Sequence, residues 1–316
     1  MKGGDSKNFA AKVLLLGEYT VIMDGQALTV PLKKFTGAFD FYDPETTPEE
    51  LSHESNKSLR QFLTYLQSTD VQNQFKFELD VPGLEEDIKG GLYFHSNIPR
   101  GYGVGSSGAL VAATFFHYTA YNKLVTDKDD PVTLQNVRQQ LAAMESFFHG
   151  SSSGLDPLTS LLGKPLRADN QKKITELALP LFNDSFQGKV FLLDTGKTGN
   201  TRGLVDWFKE QVSAGQLNAE LLKALNNQLV QALIQKNFYF FESFMSQLSK
   251  FQLSSMQPMI PENVRLLWHK GLDEGNYALK LCGSGGGGYM LGLTRDEKHV
   301  RKTFDQAGFP TTFLMI

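Results

Sequence analysis

The segment Pro99–Leu110 constrains the fold of this chain more than any other stretch, because glycines adopt backbone conformations that other residues resist. Three glycines stand at alternate positions and two serines follow them: Gly101, Gly103, Gly105, Ser106 and Ser107. The apolar run Ala109–Phe116 predicts a helix that begins where the glycines end. A helix N-terminus offers unpaired N–H groups and a positive dipole, so this segment predicts a phosphate site. A loop whose serine only caps the helix is the alternative.

The charge balance indicates which ligands such a site would serve. The 316 residues include 31 Lys and Arg against 34 Asp and Glu, which gives a formal net charge of −3. Binding to a nucleic-acid backbone needs an excess of basic residues, so DNA and RNA are not expected partners. A phosphate loop in a mildly acidic protein instead predicts a small phosphate carrier. The length allows two domains, since single cores rarely exceed about 250–300 residues.

Cysteine usage and apolar runs predict the compartment. The single cysteine, Cys282, excludes an internal disulfide framework and suits a reducing environment. The polar segment Met1–Lys7 lacks the apolar core of a signal peptide, and no apolar run approaches the ~18 residues of a membrane span. We therefore expect a cytoplasmic protein without a membrane partner. The six histidines include no pair at metal-ligand spacing, so a built-in zinc site is not expected.

Lys12 interrupts the apolar run Phe9–Leu16, which otherwise predicts a buried strand. A lysine in such a strand is either a residue whose stem passes the core and whose head reaches solvent, or a functional cation. The stretch from Thr20 to Pro31 predicts a second strand, and Gly37–Phe41 predicts a third. The chain is therefore expected to open with antiparallel strands.

Further elements of the N-terminal half follow from apolar spacing. Residues Tyr42–Ser55 are polar and predict a surface excursion, after which Leu59–Leu66 keeps the spacing of a short amphipathic helix. Phe75–Leu79 alternates as a strand does. Gly91–Ser96 is the predicted strand that leads into the glycine-rich segment.

Two acidic residues follow that segment. A helix is predicted over Leu134–Phe148 from apolar residues spaced three and four apart, and Glu145 lies on the shoulder of this stripe. A carboxylate there is either paired with a base such as Arg138 or bound to a metal. Asp156 precedes Pro157 at the start of another apolar run, and we predict that it caps the next helix. The serines before Asp156 suit a tight turn and give no chemistry by themselves.

The second half of the chain continues with a strand and helices. Val190–Asp194 is a predicted buried strand that ends in a polar loop over Thr195–Gly203. Helical segments follow, the longest from Leu217 to about Leu253. A helix around Pro261–Lys270 then leads into the strand Tyr277–Cys282.

A second glycine run, Gly283–Gly288, joins the strand Tyr277–Cys282 to the predicted strand Tyr289–Leu293. Its composition alone would suit a flexible linker. Between two apolar strands, however, glycines more often permit close backbone approach. A last helix over Glu297–Gln306 and a last strand over Thr311–Ile316 complete the arrangement, which predicts an α+β class.

Four features stand in one order along the chain: a lysine in the first strand, a Gly/Ser loop, two acidic residues eleven positions apart and a second glycine run. They lie in Ala11–Glu18, Pro99–Ala109, the pair Glu145 and Asp156, and Lys280–Gly288. In these motifs and their order the chain resembles the GHMP kinases over nearly its whole length.

The resemblance implies an α+β GHMP kinase-like fold of two domains. Residues 1–168 would form an N-terminal ATP-binding domain similar to domain 2 of ribosomal protein S5, and residues 169–316 a ferredoxin-like C-terminal domain. ATP, Mg²⁺ and a small-molecule alcohol substrate would bind in a cleft between them. The implied activity is ATP-dependent phosphoryl transfer to an alcohol, and the resemblance leaves a homodimer open.

The resemblance also implies roles for individual residues. Asp156 would act at the reacting hydroxyl with Lys12 beside it, while Ser107 and Glu145 would hold Mg²⁺. The loop that would bind the nucleotide phosphates contains Gly101, Gly103, Val104, Gly105, Ser106, Ser107 and Gly108. The residues that would face the acceptor are Glu18, Tyr19, Ser153, Thr195, Thr201, Gly285 and Gly286. Phosphoryl transfer depends on positioning and charge neutralisation, which a metal, a cation and a carboxylate would supply.

Four departures from the family pattern bear on the substrate. The branch of the family that the chain resembles most usually has Gly and His at the positions of Ala11 and Tyr19, and Leu and Ala at those of Val104 and Gly108. None of these differences removes a reacting group. Tyr19 would lie near the acceptor pocket, so the acceptor stays open, as do another GHMP activity and a nucleotide-binding sensor without turnover.

Overall fold

The computed structural model describes residues 7–120, 131–171, 173–182, 185–199 and 201–316, apart from the side chains at positions 51, 131, 132, 201 and 202. The helices are α1 (Glu49–Leu66), α2 (Thr69–Gln72), α3 (Val81–Lys89), α4 (Ser106–Tyr118), α5 (Pro131–His149), α6 (Leu155–Leu162), α7 (Thr201–Ser213), α8 (Ala219–Ile234), α9 (Phe238–Ser255), α10 (Glu262–Glu274) and α11 (Glu297–Gln306). The strands are β1 (Phe9–Leu16), β2 (Ala27–Phe41), β3 (Leu92–Ser96), β4 (Leu166–Ala168), β5 (Ile174–Glu176), β6 (Lys189–Asp194), β7 (Tyr277–Leu281), β8 (Tyr289–Thr294) and β9 (Thr311–Leu314).

The described strands form two sheets. The first has the order β1-β2-β4-β5, with β3 also paired to β2. The second has the order β7-β8-β6-β9 and is antiparallel throughout. Helices and antiparallel strands together confirm the predicted α+β class. In the described part of the chain, no helix combines the length and the apolar character needed to cross a membrane.

Close contacts divide the chain into two compact units. The first contains the chain up to Lys12, Pro31–Pro99 and Gly105–Lys164, and the second contains Val13–Val30, Arg100–Val104 and Pro165–Ile316. The domain boundary expected after residue 168, and the two domain types that the resemblance implies, stay predictions.

The core of the first unit is built around α4. This helix is buried over most of its circumference, as expected for a helix that is apolar on nearly all sides. It packs against α5 and α6, while α1 packs against β3 with Phe62 and Leu66 fully buried. The first turn of α4, which follows the glycines, is thereby held by neighbours from two later helices.

The core of the second unit is its antiparallel sheet. Phe191, Leu192 and Leu193 of β6 are fully buried, and α9 and α10 both pack against β7. Trp268 of α10 is fully buried and donates from Nε1 to the Ser249 hydroxyl of α9 at 2.8 Å. The predicted order of strand, strand, helix and strand at the C-terminus is confirmed by β7, β8, α11 and β9.

The expected second and third strands are one long strand, β2, and Thr20–Met23 forms a 3-10 turn before it. Pairing explains this continuity. The first residues of β2, Ala27–Thr29, pair with β4, and its last residues, Gly37–Phe41, pair with β3. Each end of β2 therefore has a backbone partner. This pairing keeps the strand continuous even though its middle residues are polar.

The strand predicted over Phe75–Leu79 is wrong, because a side chain takes the place of a partner strand. The N–H groups of Lys76 and Phe77 donate to Gln140 Oε1 at 2.9 and 2.7 Å. Gln140 Nε2 donates in turn to the Phe77 carbonyl at 3.0 Å. Within this segment only Leu79 makes a bridge of strand type, with Thr119.

The excursion predicted over Tyr42–Ser55 is wrong from Glu49 onward, where α1 begins after Pro48. Sequence reasoning also missed α3, although Asp80 caps this helix by accepting from the Gly83 N–H at 2.9 Å. The long helical segment predicted after Leu217 is divided at Lys236, whose φ of 56° ends α8 before α9 starts.

Candidate functional site

Lys12 and Asp156 form an ion pair in the first unit. The Lys12 ammonium lies 2.6 Å from Asp156 Oδ2, and the two side chains are 6% and 33% exposed. An ammonium removed from water needs a countercharge close by, which Asp156 supplies. The alternative in which the head of Lys12 reaches solvent is therefore wrong. The pair presents a partly accessible carboxylate beside a buried cation.

Asp156 is not the cap of α6, as the sequence predicted. The helix begins at Leu155, Gly154 occupies the N-cap position with a φ of 72°, and Asp156 is the second helical residue. A Cβ on Gly154 would lie only 2.3 Å from the Arg138 carbonyl oxygen, so close backbone approach demands glycine there. Asp156 thus keeps the favourable position of an acid in a first helical turn, and its side chain reaches Lys12.

Glu145 of α5 is 3% exposed and accepts hydrogen bonds from two hydroxyls. Ser107 Oγ donates to its Oε1 at 3.2 Å, and Ser152 Oγ donates to its Oε2 at 2.5 Å. Burial, and next the negative charge of Asp156, raise the pKa of Glu145 to about 7, against the opposing effects of these hydroxyls and Lys12. The predicted alternative partner, Arg138, instead donates to the Ser153 carbonyl at 3.4 Å.

The donors around Glu145 fit a hard divalent cation. A buried carboxylate whose charge is penalised gains from a cation beside it, and carboxylate and hydroxyl oxygens are the ligands that Mg²⁺ prefers. No cluster of three or more His, Cys, Asp or Glu side chains among the described residues could hold a metal. A Mg²⁺ held by Glu145 and Ser107 would therefore take its other ligands from phosphates and water, as Mg²⁺ commonly does.

The start of α4 lies against the ion pair. Gly105, with a φ of 76°, occupies the N-cap position of α4, and a Cβ on it would lie 2.9 Å from Lys12 Cγ. A Cβ on Gly108 would lie 3.2 Å from Asp156 Cβ. Ser106 is the first residue of α4. The N-terminal turn that favours an anion is thus packed directly onto both charged residues.

Substituting Gly105 with Ala should impair the site more than the backbone strain alone explains. Both Gly105 and Gly163 have positive φ, but a Cβ on Gly163 would have no described atom within 4 Å. We expect Gly105→Ala to lower kcat/KM for ATP about tenfold or more relative to Gly163→Ala, because Lys12 must move. Steady-state kinetics with thermal melting of both variants test this. Equal effects of the two changes would contradict it.

The remaining loop residues belong to the second unit. A Cβ on Gly101 would lie 3.2 Å from Thr198 Cβ, and one on Gly103 would lie 3.1 Å from the Cys282 carbonyl oxygen. The Gly199 N–H donates to the Gly101 carbonyl at 3.1 Å, and Val104 is buried. Gly101–Val104 therefore packs against the 195–199 loop and the beginning of the second glycine run.

The predicted acceptor residues are distributed over both units. In the second unit, Glu18 pairs with Lys280, Tyr19 donates to the Ser284 carbonyl, and Thr195 Oγ1 donates to the Gly288 carbonyl at 2.7 Å. Gly286 donates its N–H to the Met259 carbonyl at 2.6 Å, and Gly285 lies against the same carbonyl. In the first unit, Ser153 Oγ accepts from the Leu155 N–H at 3.3 Å. Thr201 begins α7, and its side chain lies outside the described residues.

The structure thus brings the predicted residues together in two groups. The group in the first unit contains Lys12, Gly105, Ser106, Ser107, Gly108, Glu145, Ser153 and Asp156. The group in the second unit contains Glu18, Tyr19, Gly101, Gly103, Val104, Thr195, Gly285 and Gly286. The roles that the resemblance assigns to them stay proposals.

Sequence reasoning missed three polar residues that belong to these groups: His149 and Ser152 in the first unit, and Lys280 in the second. His149 Nε2 lies 3.0 Å from Ser107 Oγ, and Ser152 bonds to Glu145. Both contacts depend on the packing of α4, α5 and α6, which sequence spacing does not reveal. Lys280 did give a signal, since it interrupts an apolar strand as Lys12 does.

Comparisons with known proteins show which proteins this chain resembles. Residues 65–164 match the GHMP kinases N terminal domain. A mevalonate kinase of Archaeoglobus fulgidus is 26% identical over 232 residues, which cover 69% of this chain and 68% of that protein. The Methanococcus jannaschii mevalonate kinase structure has a TM-score of 0.65 at 16% identity and covers 100% of this chain and 99% of its own.

A second solved structure, Streptococcus pneumoniae phosphomevalonate kinase in complex with phosphomevalonate and AMPPNP, also has a TM-score of 0.65. Its identity is 13%, and the match covers 98% of this chain and 100% of that one. These likenesses confirm the GHMP kinase-like fold that the sequence motifs implied. With the matched N-terminal domain, they show that this chain is similar to the GHMP kinases in sequence and in fold, and they indicate a phosphotransferase that acts on an alcohol group.

Proposed function

We propose that the chain transfers the γ-phosphoryl group of ATP to mevalonate, giving 5-phosphomevalonate and ADP in isoprenoid precursor synthesis. The observation that carries the proposal is the Lys12–Asp156 ion pair, which lies directly against the first turn of α4. An anion-binding turn beside a carboxylate and a buried cation is what transfer to an alcohol needs. The A. fulgidus relative, named mevalonate kinase, supports the acceptor.

In this proposal Asp156 orients the acceptor hydroxyl and accepts its proton. The alcohol oxygen forms a bond to the γ-phosphorus as the bond to the β,γ-bridging oxygen breaks, so ADP leaves with that oxygen. The Lys12 ammonium, 2.6 Å from the carboxylate, stabilises the negative charge that develops on the alcohol oxygen. The partial exposure of Asp156 leaves room for this contact, whereas the burial of Lys12 strengthens its charge interaction.

Nucleotide binding is assigned to Gly101–Gly108 and the N-terminal turn of α4. Glu145 and Ser107 would hold Mg²⁺, which would neutralise part of the phosphate charge. The contact of His149 with Ser107 and that of Ser152 with Glu145 orient these two ligands. The combination of Lys12 with Glu145 favours a plain kinase over a diphosphomevalonate decarboxylase of the same superfamily.

Phosphomevalonate is the second candidate acceptor, because the S. pneumoniae structure has the same TM-score as the M. jannaschii one. A sugar kinase and a nucleotide-binding relative without turnover are the further alternatives. A homodimer is compatible with the proposal and is checked by the mass of the protein in solution.

A coupled ADP-release assay tests the proposed function. Purified protein with ATP and Mg²⁺ is offered mevalonate, phosphomevalonate, homoserine and galactose in parallel. We expect kcat/KM for mevalonate to exceed that for each other alcohol about tenfold or more. A higher value for phosphomevalonate or galactose would reassign the acceptor. ADP release with none of them, despite measurable ATP binding, would favour the non-catalytic relative.

A further inference from the structure

The turn before the 3-10 helix of the second unit contains a strained residue. Tyr19 has a φ of 64° and a ψ of −32°, a conformation that residues with a side chain seldom adopt. Such a conformation persists only where surrounding contacts hold it. The Tyr19 ring lies 4.6 Å from that of Phe208, and its hydroxyl donates to the Ser284 carbonyl at 2.5 Å. The strain is therefore maintained by a contact with the glycine run.

Glu18, the residue before Tyr19, is bound to β7, the strand that leads into the same glycine run. Its carboxylate lies 2.5 Å from the Lys280 ammonium, and the two side chains are 2% and 0% exposed. Lys280 Nζ also donates to the Leu281 carbonyl at 2.7 Å. A buried ion pair contributes little net stability. The Glu18–Lys280 pair therefore serves mainly to fix the position of Glu18 against β7. At this exposure the Glu18 carboxylate has no surface for a substrate.

The glycine run needs such supports, because glycines have no side chains with which to specify a conformation. Gly286 donates its N–H to the Met259 carbonyl at 2.6 Å, and Gly288 donates to the Lys197 carbonyl at 2.5 Å. These bonds hold the middle and the end of the run. Its beginning, at Ser284, receives the Tyr19 hydroxyl.

We propose that Tyr19 and the Glu18–Lys280 pair are positioning residues that hold the run Gly283–Gly288 in its binding shape, and that neither Glu18 nor Tyr19 touches the acceptor. This inference rests on the proposed function and on the role that the resemblance implies for Gly285 and Gly286, which would face the acceptor alcohol. It replaces the substrate contacts that the resemblance implies for Glu18 and Tyr19. Acceptor preference would then be set by the backbone of the run.

The test is Tyr19→Phe, which keeps the ring on Phe208 and removes only the hydroxyl. Hydrogen exchange of the 283–288 amides is measured by mass spectrometry, with steady-state kinetics in parallel. We expect exchange of these amides to accelerate about tenfold, since a partly buried hydrogen bond is lost. We also expect KM for the acceptor to rise by a similar factor, with a smaller change in kcat.

Tyr277→Phe is the matched control. Tyr277 is also buried in the second unit and donates to a backbone carbonyl, that of Leu267 at 2.6 Å, at the far end of β7 from the run. We expect its substitution to leave exchange of the 283–288 amides and acceptor KM as in the unsubstituted protein. Thermal melting of both variants reports any general loss of stability.

Three results would overturn the inference. A raised acceptor KM with unchanged exchange would show a direct contact between Tyr19 and the acceptor. Unchanged exchange together with unchanged KM would show that the hydroxyl has no positioning role. Faster exchange with unchanged KM would show that the conformation of the run does not affect acceptor binding. If no alcohol is turned over by the unsubstituted protein, the proposed function fails, while the exchange measurement still decides whether Tyr19 holds the run.

A second variant covers the case in which Tyr19→Phe does not fold. Glu18→Gln with Lys280→Met removes both charges together, so neither is left buried alone. We expect the same acceleration of exchange in the run, and protection equal to that of the unsubstituted protein would contradict the inference.

Discussion

Substitution of Asp156 with Asn is expected to lower kcat about 10²–10⁴-fold while ATP binding persists. The amide occupies nearly the same volume as the carboxylate, but it cannot accept the proton of the acceptor hydroxyl. The effect should fall on kcat because Asp156 is assigned to the reacting alcohol and the loop to the nucleotide. Single-turnover kinetics and calorimetric titration with ATP measure the two separately.

The control for this prediction is Asp80→Asn. Asp80 belongs to the same unit, and the change removes the same charge, yet Asn caps a helix as well as Asp does. Its kcat should stay within about twofold of the unsubstituted protein. Because Asp156 lies beside the buried Lys12 ammonium, thermal melting of both variants must accompany the kinetics. Retained turnover in Asp156→Asn would leave this carboxylate only a structural role.

Substitution of Glu145 with Gln is expected to raise the Mg²⁺ concentration needed for half-maximal activity about 10–100-fold. An amide oxygen is a weaker ligand than a carboxylate for a hard cation, and loss of a metal contact has this order of effect. Activity is titrated with Mg²⁺ at a fixed total ATP concentration high enough to saturate the loop. An unchanged Mg²⁺ titration would remove Glu145 from the metal site.

The same substitution should stabilise the protein in EDTA at high pH. Because the folded state raises the pKa of Glu145 from 4.5 to about 7, the folded protein holds this proton more tightly than the unfolded chain. Stability is therefore full below about pH 4.5 and falls as the pH rises to about 7, by up to about 3 kcal/mol. Glu145→Gln lacks this loss of stability. Its greater stability should therefore appear as the pH rises from about 4.5 to about 7 and persist at higher pH.

Urea unfolding at a series of pH values, with EDTA or with Mg²⁺, measures this effect. Glu50→Gln, at an exposed position of α1, controls for the general loss of a negative charge. Mg²⁺ should restore stability to the unsubstituted protein and give less to Glu145→Gln, because a ligand stabilises the state that binds it. A constant difference between the two proteins across the pH range would contradict the prediction.

The parts of the fold that sequence reasoning predicted well are those that local signals determine. Helix α11 has the predicted limits, Glu297–Gln306, because Asp296 caps it and its apolar residues keep helical spacing. The segment 75–79 was mistaken for a strand because its partner is the amide of Gln140, more than sixty residues away. Alternation in the sequence indicates that a segment can pair, but it does not show what the partner is.

In the candidate site, too, the sequence predicted the local features but not the contacts between distant residues. The motifs identified the residue types of the site, including Lys12, Glu145 and Asp156. Their contacts, however, depend on how Lys12 of β1 meets α4 and α6 and on how α4 meets α5. For Tyr19 the sequence indicated only that a tyrosine stands where the related branch of the family usually has histidine. Its hydroxyl bonds to Ser284, 265 positions later in the chain, and no local pattern could indicate that contact.

The close approach of Gly154 to the Arg138 carbonyl has a consequence for how this protein tolerates change. Main chain meets main chain at this point, so there is no room for a side chain between α5 and the start of α6. Glu145 and Asp156 stand on these two helices. The distance between the two carboxylates should therefore be especially sensitive to position 154, where any added side chain would force α5 and α6 apart.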